Sequence, residues 1–210
     1  MRPTQTAAGG WRPLFDGRSL DAWRGYRLDR APDGWQVVEG AITRVAPAGD
    51  LITRDTFGDF ELTLEWMIAA GGNSGVMYRV TEAAAHTYQT GPEMQVLDDA
   101  RHPDGRSRLT AAGAVYGLYP APPRVVKPAG QWNAARIVAR GNHVEHWLNG
   151  VQLASYVIGS RDWVARVGAS KFREWPGYGR AGAGHIALQD HGDWVAYRNI
   201  GILTLAPAAD

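Results

Sequence analysis

The amino-acid sequence predicts an all-β protein, a sandwich or a barrel, folded as one domain. Short apolar segments follow one another at close intervals, apolar and polar residues alternate within them, and glycine and proline separate them. The 210 residues include 26 glycines and 12 prolines. We find no internal repeat, no linker and no long segment of helical periodicity. We therefore expect one domain over residues 11–210, after a disordered or extended segment over residues 1–10.

The clearest predicted strands are FELTLEWMI, residues 60–68, and SGVMYRV, residues 74–80. In a strand, alternate side chains point to opposite faces of the sheet. In the first strand the apolar face consists of Phe60, Leu62, Leu64, Trp66 and Ile68, with Glu65 on the other face. In the second strand the apolar face consists of Val76, Tyr78 and Val80, with Met77 and Arg79 on the other face.

Two turns predict β-hairpins. Asn149-Gly150 separates two alternating segments and has the composition of a two-residue turn, and Glu39-Gly40 interrupts GWQVVEGAITRV in the same way. A last strand is predicted over residues 194–205, and one short helix over Ser160–Val167.

The charge balance gives no reason to expect a polyanionic partner. The chain has 22 basic and 21 acidic side chains and a net charge of +1, without a long run of one sign. We therefore expect no nucleic-acid partner and no binding to an anionic membrane surface. No apolar run approaches the roughly 20 residues that a membrane-spanning helix needs.

Cysteine is absent, which excludes disulfides, thiolate catalysis and cysteine-ligated zinc. The first ten residues contain no hydrophobic segment of the kind found in a signal peptide. The sequence as written predicts a cytoplasmic protein, or a periplasmic one if a signal sequence has been removed.

Two predicted strands carry unusual polar faces. In GPEMQVLDD, residues 91–99, Met94 and Val96 point one way, whereas Glu93 and Gln95 point the other. In GHIALQDHG, residues 184–192, the second face consists of His185, Ala187, Gln189 and His191. Amides bind hydroxyl groups, and Glu and His transfer protons near neutral pH. We therefore predict a shared cleft for a polar ligand, against the alternative of an ordinary solvated sheet face.

The residues that follow the first of these strands have two interpretations. Carboxylate oxygens and a histidine suit Ca²⁺ or Mn²⁺, so a divalent metal site is one hypothesis for Asp98, Asp99, His102 and Asp104. The other interpretation is a turn, because Asp-Asp pairs often end strands. The spacing matches no fixed metal-binding loop such as an EF-hand. Motifs of serine hydrolases, zinc proteases, P-loops and dinucleotide-binding folds are also absent.

The chain resembles the 3-keto-disaccharide hydrolase family, formerly a domain of unknown function. The segments that carry the resemblance, in order, are LFDGRSLDAW (14–23), GDFELTLEW (58–66), GGNSGVMYR (71–79), GPEMQVLDD (91–99), AVYGLY (114–119), KPAGQWNAARIVARGNHVEHWLNG (127–150) and GHIALQDHGDWVAYRNIGI (184–202). Met94 departs from the aromatic residue that is frequent in the family. The resemblance implies a concanavalin A-like jelly roll, a sandwich of two antiparallel sheets with a concave sugar-binding face.

The resemblance also implies a substrate, a glycoside oxidised to a ketone at C3 of the sugar. Such a ketone acidifies the proton on C2, so that a base removes it and the group on C1 leaves by β-elimination. Addition of water completes a net hydrolysis, whereas stopping earlier makes the protein a lyase. The route needs a base, an acid for the leaving oxygen and a group that stabilises the enolate oxygen.

Matching motif positions imply roles for individual residues. Glu93 or His191 is expected to be the C2 base, and Lys171 or Arg79 to stabilise the enolate oxygen. The predicted substrate contacts are Gln95, Gln189, Arg79, Asn73, Glu65, Asp99 and His102. A metal ligand set stays unassigned, although a divalent ion is compatible with the sequence.

Two other functions stay open from the sequence. A retaining glycosidase on the same fold needs two carboxylates about 5–5.5 Å apart, and Glu93 with Glu65 is the candidate pair if their strands are neighbours. A non-catalytic carbohydrate-binding module is the other alternative, because Trp and Tyr rings stack on sugars and the chain has nine Trp and eight Tyr.

Overall fold

The computed structural model describes residues 10–206, which form a sandwich of two antiparallel β-sheets. The predicted segment 1–10 therefore lies, except for Gly10, outside the described residues, as do residues 207–210. The strands are β1 Arg12–Pro13, β2 Trp23–Gly25, β3 Trp35–Val38, β4 Ala41–Arg44, β5 Leu51–Thr53, β6 Phe60–Ile68, β7 Asn73–Val80, β8 Glu93–Leu97, β9 Asn133–Arg140, β10 His143–Leu148, β11 Val151–Val157, β12 His185–Leu188 and β13 Val195–Thr204.

Helix is confined to short connecting segments. The α-helix α1 covers Arg161–Ala169, close to the predicted helix, and the Ser160 side chain caps it by accepting a hydrogen bond from Trp163 N at 3.1 Å. Three 3-10 helices cover Thr87–Gln89, Pro103–Arg106 and Lys171–Glu174. Among residues 10–206 no helix is long and apolar enough to span a membrane.

The chain crosses repeatedly between the two sheets. The larger sheet has the strand order β11-β10-β9-β6-β13-β4-β3, with β1 paired to β13, and the smaller has the order β2-β5-β12-β7-β8. Non-consecutive neighbours such as β5 and β12 mean that each sheet is assembled from distant parts of the sequence. The all-β prediction is confirmed. The structure adds which strands share a sheet, which the sequence did not predict.

The core lies between the sheets and follows the predicted alternation. In β6 every second residue is buried, from Phe60 to Ile68, and the residues between them are half-buried. The smaller sheet contributes the inward residues of its central strands: Val76, Tyr78, Met94, Val96, Ile186 and Leu188. Both hairpin predictions are also confirmed, because Glu39-Gly40 and Asn149-Gly150 adopt the positive φ angles that tight hairpin turns require.

A β-bulge at Arg79 corrects the predicted face of Val80. In the pairing of β7 with β12, Val80 lies opposite His185 and Met77 lies opposite Ala187, so two residues of β7 face one residue of β12. Arg79 has a φ of 52°, and the extra residue shifts the alternation by one. Val80 therefore packs with Met77 on the outer face of the smaller sheet, outside the main core.

The bulge turns the Arg79 side chain toward neighbouring loops. Its guanidinium is 3% exposed and donates to Gly58 O at 3.0 and 3.1 Å, to Gly141 O at 2.7 Å and to Asp59 Oδ1 at 3.3 Å. All its contacts are with backbone carbonyls and one carboxylate at the end of the sandwich. The structure thus gives Arg79 a stabilising role, and the expectation that it contacts substrate or an enolate is wrong for this placement.

Replacement of Arg79 by Met should destabilise the fold. The substitution leaves buried carbonyl groups without a donor and removes the ion pair to Asp59, which costs about 2–4 kcal/mol of unfolding free energy. Urea denaturation measures this loss, with Arg173→Met at an exposed position as the control. Equal midpoints for the two variants would contradict the stabilising role.

Candidate active site

The candidate site lies on the outer face of the smaller sheet, where β7 pairs with β8. Gly75 is opposite Gln95 and Met77 is opposite Glu93, so these four residues share one face. The other face of the same strands packs in the core through residues such as Val76 and Met94. The predicted two-sidedness of the GPEMQVLDD strand is therefore present in the structure.

The side chain of Glu93 lies across Gly75. A Cβ atom on residue 75 would be 2.7 Å from Glu93 Cδ and closer still to Oε1, so only glycine leaves room for the carboxyl group there. Glu93 is 5% exposed as a result. Gly75 belongs to β7, within the strand predicted over residues 74–80.

Burial makes Glu93 a weak acid. Desolvation raises its pKa to about 8, the negative charges of Asp50 and Asp104 add to this, and the positive charge of Lys171 acts against them. A carboxyl group in this state is mostly protonated at neutral pH. Once ionised it is a much stronger base than an ordinary glutamate, and its pKa lies close to the pH at which general bases work best.

Two amide oxygens beside Glu93 are buried without a donor. Gln95 Nε2 donates to Thr110 O at 3.2 Å, which orients the amide, but none of residues 10–206 donates to Gln95 Oε1. Asn73 Oδ1, on the same face at the start of β7, is likewise buried and unpaired among the described residues. Buried acceptors are normally satisfied, so both oxygens suit the hydroxyl groups of a ligand.

A cavity of about 310 Å³ adjoins this strand pair. Its lining consists of Tyr26, Leu28, Ala48, Gly49, Asp50, His86, Tyr88, Gln189, Asp190 and His191. Gln189 and His191 follow the end of β12 at Leu188, so they lie on a loop and not on the strand to which the alternation assigned them. Gln189 N donates to Gly75 O at 3.0 Å, which places this loop directly beside the Glu93 site.

Two aspartates shape the cavity. Asp190 accepts hydrogen bonds from Ala48 N at 2.7 Å and Gly49 N at 2.9 Å and pairs with Arg44 Nε at 2.8 Å. Burial opposes its charge, but these contacts keep the pKa of Asp190 below its usual value. Asp50 accepts from Asp190 N at 2.9 Å and from Thr87 Oγ1, and burial raises its pKa. Both carboxylates thus stabilise, through their hydrogen bonds, the loops that line the cavity.

Lys171 is the positively charged group that acts on Glu93. It begins the 3-10 helix Lys171–Glu174, is exposed, and is the only cation among the described charges that influence the pKa of Glu93. Asn73 and Gln95 share the sheet face of Glu93, Gln189 lies directly beside Gly75, and His191 lines the adjoining cavity. The assignment of these residues and Lys171 to one catalytic site stays a prediction. A buried carboxyl group, an ammonium and free amide oxygens are suited to proton transfer on a hydroxylated ligand that develops negative charge.

Glu65 lies far from this group. It projects outward from β6 in the larger sheet, where Arg198 Nε donates to its Oε2 at 2.7 Å. Glu93 belongs to the smaller sheet, and the core separates the two carboxyl groups. The predicted role of Glu65 as a substrate contact, and its pairing with Glu93 in a retaining glycosidase, are therefore wrong. The alternation of apolar and polar residues predicted which face of its strand each residue occupies, but it did not predict which sheet the strand belongs to.

The acidic residues after β8 form a turn. Asp98 Oδ2 accepts from Gly71 N at 2.7 Å, Asp99 Oδ1 accepts from Ala112 N at 2.7 Å, and His102 Nδ1 accepts from Asp104 N at 3.1 Å. Each of these side chains thus accepts a hydrogen bond from a backbone amide, and the predicted substrate contacts of Asp99 and His102 stay predictions. Within residues 10–206 no three His, Asp or Glu side chains converge on a point where a metal ion fits.

Several residues of the site were not predicted. Asp50, Tyr88 and Tyr116 come from three separate connections of the fold, and no alternating pattern singles them out. Tyr116 lies in AVYGLY, one of the segments that carry the resemblance, and this was the only available signal. Tyr26 and Tyr88 pack on the apolar floor formed by Ile52, Met77, Val80 and Ala187.

Gly75→Ala should inactivate the site at small cost to the fold. The added methyl group meets the flexible end of the Glu93 side chain, which must move from its position. We expect at least a 100-fold loss of turnover with less than about 1 kcal/mol change in unfolding free energy. Activity assays with thermal denaturation measure both, and Gly168→Ala, which has open space around it, is the control. Unchanged turnover would contradict the assigned position of Glu93.

Glu93→Gln should stabilise the protein at alkaline pH. The folded state holds the proton of Glu93 up to about pH 8, whereas the unfolded chain loses it near its ordinary pKa of 4.5. Between these values the wild type loses stability as pH rises. Glutamine carries no charge, so the variant should gain on the order of 3 kcal/mol at pH 9 and little at pH 4. Urea denaturation across this range measures it, and a pH-independent difference would contradict the raised pKa.

Comparison with known proteins places the chain in a family. The model for the 3-keto-alpha-glucoside-1,2-lyase-like domain matches residues 10–203. The 3-keto-disaccharide hydrolase of Bacteroides thetaiotaomicron is 34% identical over 230 aligned positions, which cover 94% of this chain and 79% of that protein.

Solved structures agree with this assignment. The crystal structure of a proposed glycosyl hydrolase from Parabacteroides distasonis has a TM-score of 0.86 and 33% identity, with 94% of each chain covered. The β-glucanase of Bacillus licheniformis has a TM-score of 0.52 at 9% identity, with 96% of this chain and 100% of that chain covered, and shares the fold alone. The predicted concanavalin A-like jelly roll is confirmed. This chain belongs to the family of 3-keto-alpha-glucoside-1,2-lyase-like domains and is a carbohydrate-active hydrolase.

Proposed function

We propose that the protein cleaves 3-keto-glycosides by removing the proton from C2, and that Glu93 is the base. The observation that carries the proposal is the burial of Glu93 over Gly75, which raises its pKa to about 8 next to the ammonium of Lys171. The name of the Bacteroides thetaiotaomicron relative supports the substrate class.

The reaction follows from this pair of groups. The carboxylate of Glu93 takes the C2 proton, and the electron pair of the C–H bond forms an enolate whose oxygen, at C3, faces Lys171. The electrons then return to form the C1–C2 double bond and break the C1–O bond. The leaving oxygen takes the proton held by Glu93. Water adds to C1, C2 is reprotonated, and the products are the 3-keto-sugar and the free alcohol.

Basicity is the reason for assigning this role to Glu93 and not to His191. The C2 proton of a ketosugar is a weak acid, so transfer becomes easier as the pKa of the base rises. Glu93 is buried against the sheet, whereas His191 is exposed at the cavity lining. His191 and Gln189 bind substrate hydroxyls in this proposal, together with Gln95 and Asn73.

A conventional glycosidase mechanism has less support. It requires a second free carboxyl group facing Glu93 across the glycosidic bond. Asp50 is the nearest candidate on the cavity side, but its two oxygens already accept from Asp190 N and Thr87 Oγ1. Glu65 lies on the other sheet. The ketone route needs only one carboxyl group and one cation, which is what the site provides.

The test is release of the alcohol from a 3-keto-glucoside, with the unoxidised glucoside as the control substrate. Glu93→Gln should lower kcat by about 10²–10⁴-fold, and Lys171→Met by about 10²–10³-fold. His191→Ala should cost about 10-fold or less, and Glu65→Gln, on the opposite sheet, should leave kcat unchanged. For the wild type, kcat/KM should rise with pH through about 8, because only the carboxylate form of Glu93 accepts a proton.

Other outcomes lead to other functions. Equal cleavage of the unoxidised glucoside would favour a conventional glycosidase, and binding without alcohol release would favour a binding module. Release of the alcohol with accumulation of the unsaturated sugar would show that the reaction ends at the lyase stage. Retention of near-native activity in Glu93→Gln would reject Glu93 as the base.

A further inference from the structure

Three aromatic rings surround the ammonium of Lys171. Its Nζ lies 4.6 Å from the centroid of Tyr116, 5.4 Å from that of Phe172 and 5.7 Å from that of Tyr88. All three distances are within the roughly 6 Å over which a ring face attracts a cation. We call Tyr88, Tyr116 and Phe172 the aromatic cage.

No carboxylate neutralises this ammonium. Among residues 10–206, no Asp or Glu oxygen lies within 4.0 Å of Lys171 Nζ, although the positive charge of Lys171 acts to lower the pKa of Glu93. An ammonium beside an ionised carboxylate normally forms an ion pair. The aromatic cage and the carboxylate form of Glu93 are therefore alternative partners for the same cation.

Each ring of the aromatic cage is held in place by a further contact. The Tyr116 hydroxyl donates to Asp104 Oδ2 at 3.3 Å. Tyr88 stacks on His86 and meets the edge of Trp175. Phe172 stacks on Tyr178 with a centroid distance of 4.1 Å, which ties the Lys171 helix to the aromatic core. A lysine side chain is flexible, so its position depends on these fixed rings.

We propose that Tyr116 and Tyr88 are positioning residues that hold Lys171 over the cleft and prevent it from pairing with Glu93. The inference rests on the proposed function, in which Lys171 faces the enolate oxygen and Glu93 takes the C2 proton. A direct ion pair would occupy both groups at once. The cage keeps the base basic and leaves the N–H donors of Lys171 free for the substrate oxygen.

The proposal predicts how the site titrates when a ring is removed. The titratable groups that interact with Glu93 are Lys171 and Asp104 on two 3-10 helices, Asp50 before β5, Tyr116 in the connection between β8 and β9, and the buried Tyr178 and Tyr197. In Tyr116→Leu, Lys171 is free to move toward Glu93. Because the cation favours the carboxylate, the pKa of Glu93 should fall by one unit or more.

The experiment titrates Glu93 directly by ¹³C NMR of the glutamate carboxyl carbons, with the Glu93→Gln spectrum assigning the resonance. Tyr116→Leu should lower the Glu93 pKa, whereas Tyr116→Phe, which keeps the ring, should not. In a protein that already carries Lys171→Met, adding Tyr116→Leu should leave the pKa of Glu93 unchanged, because the cation that would move toward Glu93 is absent. Trp132→Leu is the matched control, because it removes the ring under Arg198, at 4.0 Å, in a cation–π pair outside the site.

Turnover is the second measurement. In Tyr116→Leu the ascending limb of kcat/KM against pH should move to lower pH by the same amount, with kcat reduced at least 10-fold, and Tyr116→Phe should stay within about 3-fold of the wild type. If Tyr116→Leu does not fold, Tyr88→Leu should show a smaller shift of the same sign.

An unchanged Glu93 pKa in the folded leucine variants, or the same shift in Tyr116→Phe as in Tyr116→Leu, would overturn the proposal. The NMR titration needs no turnover, so it tests the cage even if the wild type fails to cleave 3-keto-glucosides. Failure of the cage with normal turnover would leave the proposed function intact.

Discussion

The site depends on a carboxyl group that is buried where a side chain of residue 75 would otherwise be. Glu93 lies on the backbone of Gly75, and the pKa of its carboxyl group is set by desolvation and by nearby charges. Ionising such a group is unfavourable, and this is the property that a base for a carbon acid needs. The same burial lowers the stability of the folded protein as the pH rises from about 4.5 to about 8, so function and stability are in conflict at one residue.

The rest of the fold positions groups around that carboxyl. The bulge at Arg79 places Val80 next to Met77 and so builds an apolar floor on the outer face of the smaller sheet. Asp50 and Asp190 fasten the loops that line the cavity. The helical segment after β11 carries Lys171, whose positive charge acts on Glu93. Each contribution comes from a different connection, and the two sheets act as the rigid support.

Much of the fold followed from local patterns. Alternation in FELTLEWMI predicted the buried face of β6 residue by residue, and the turns at Glu39-Gly40 and Asn149-Gly150 were predicted from composition. Alternation failed at Val80, because the extra residue of a bulge shifts the pattern, and at Gln189 and His191, because β12 ends at Leu188. Neither a bulge nor a strand end leaves a signal as regular as the alternation that it interrupts.

The sequence by itself determined the two faces of the strand around Glu93, the jelly-roll family and most of the polar residues in the cleft, because these are encoded in neighbouring residues or whole motifs. Only the tertiary structure decided that Glu65 belongs to the other sheet, that Asp99 accepts a hydrogen bond from the distant Ala112 amide, and that the Tyr116 ring lies against Lys171. Strand order, burial and the approach of distant charges depend on the packing of the whole chain, and the pKa of Glu93 depends on all three.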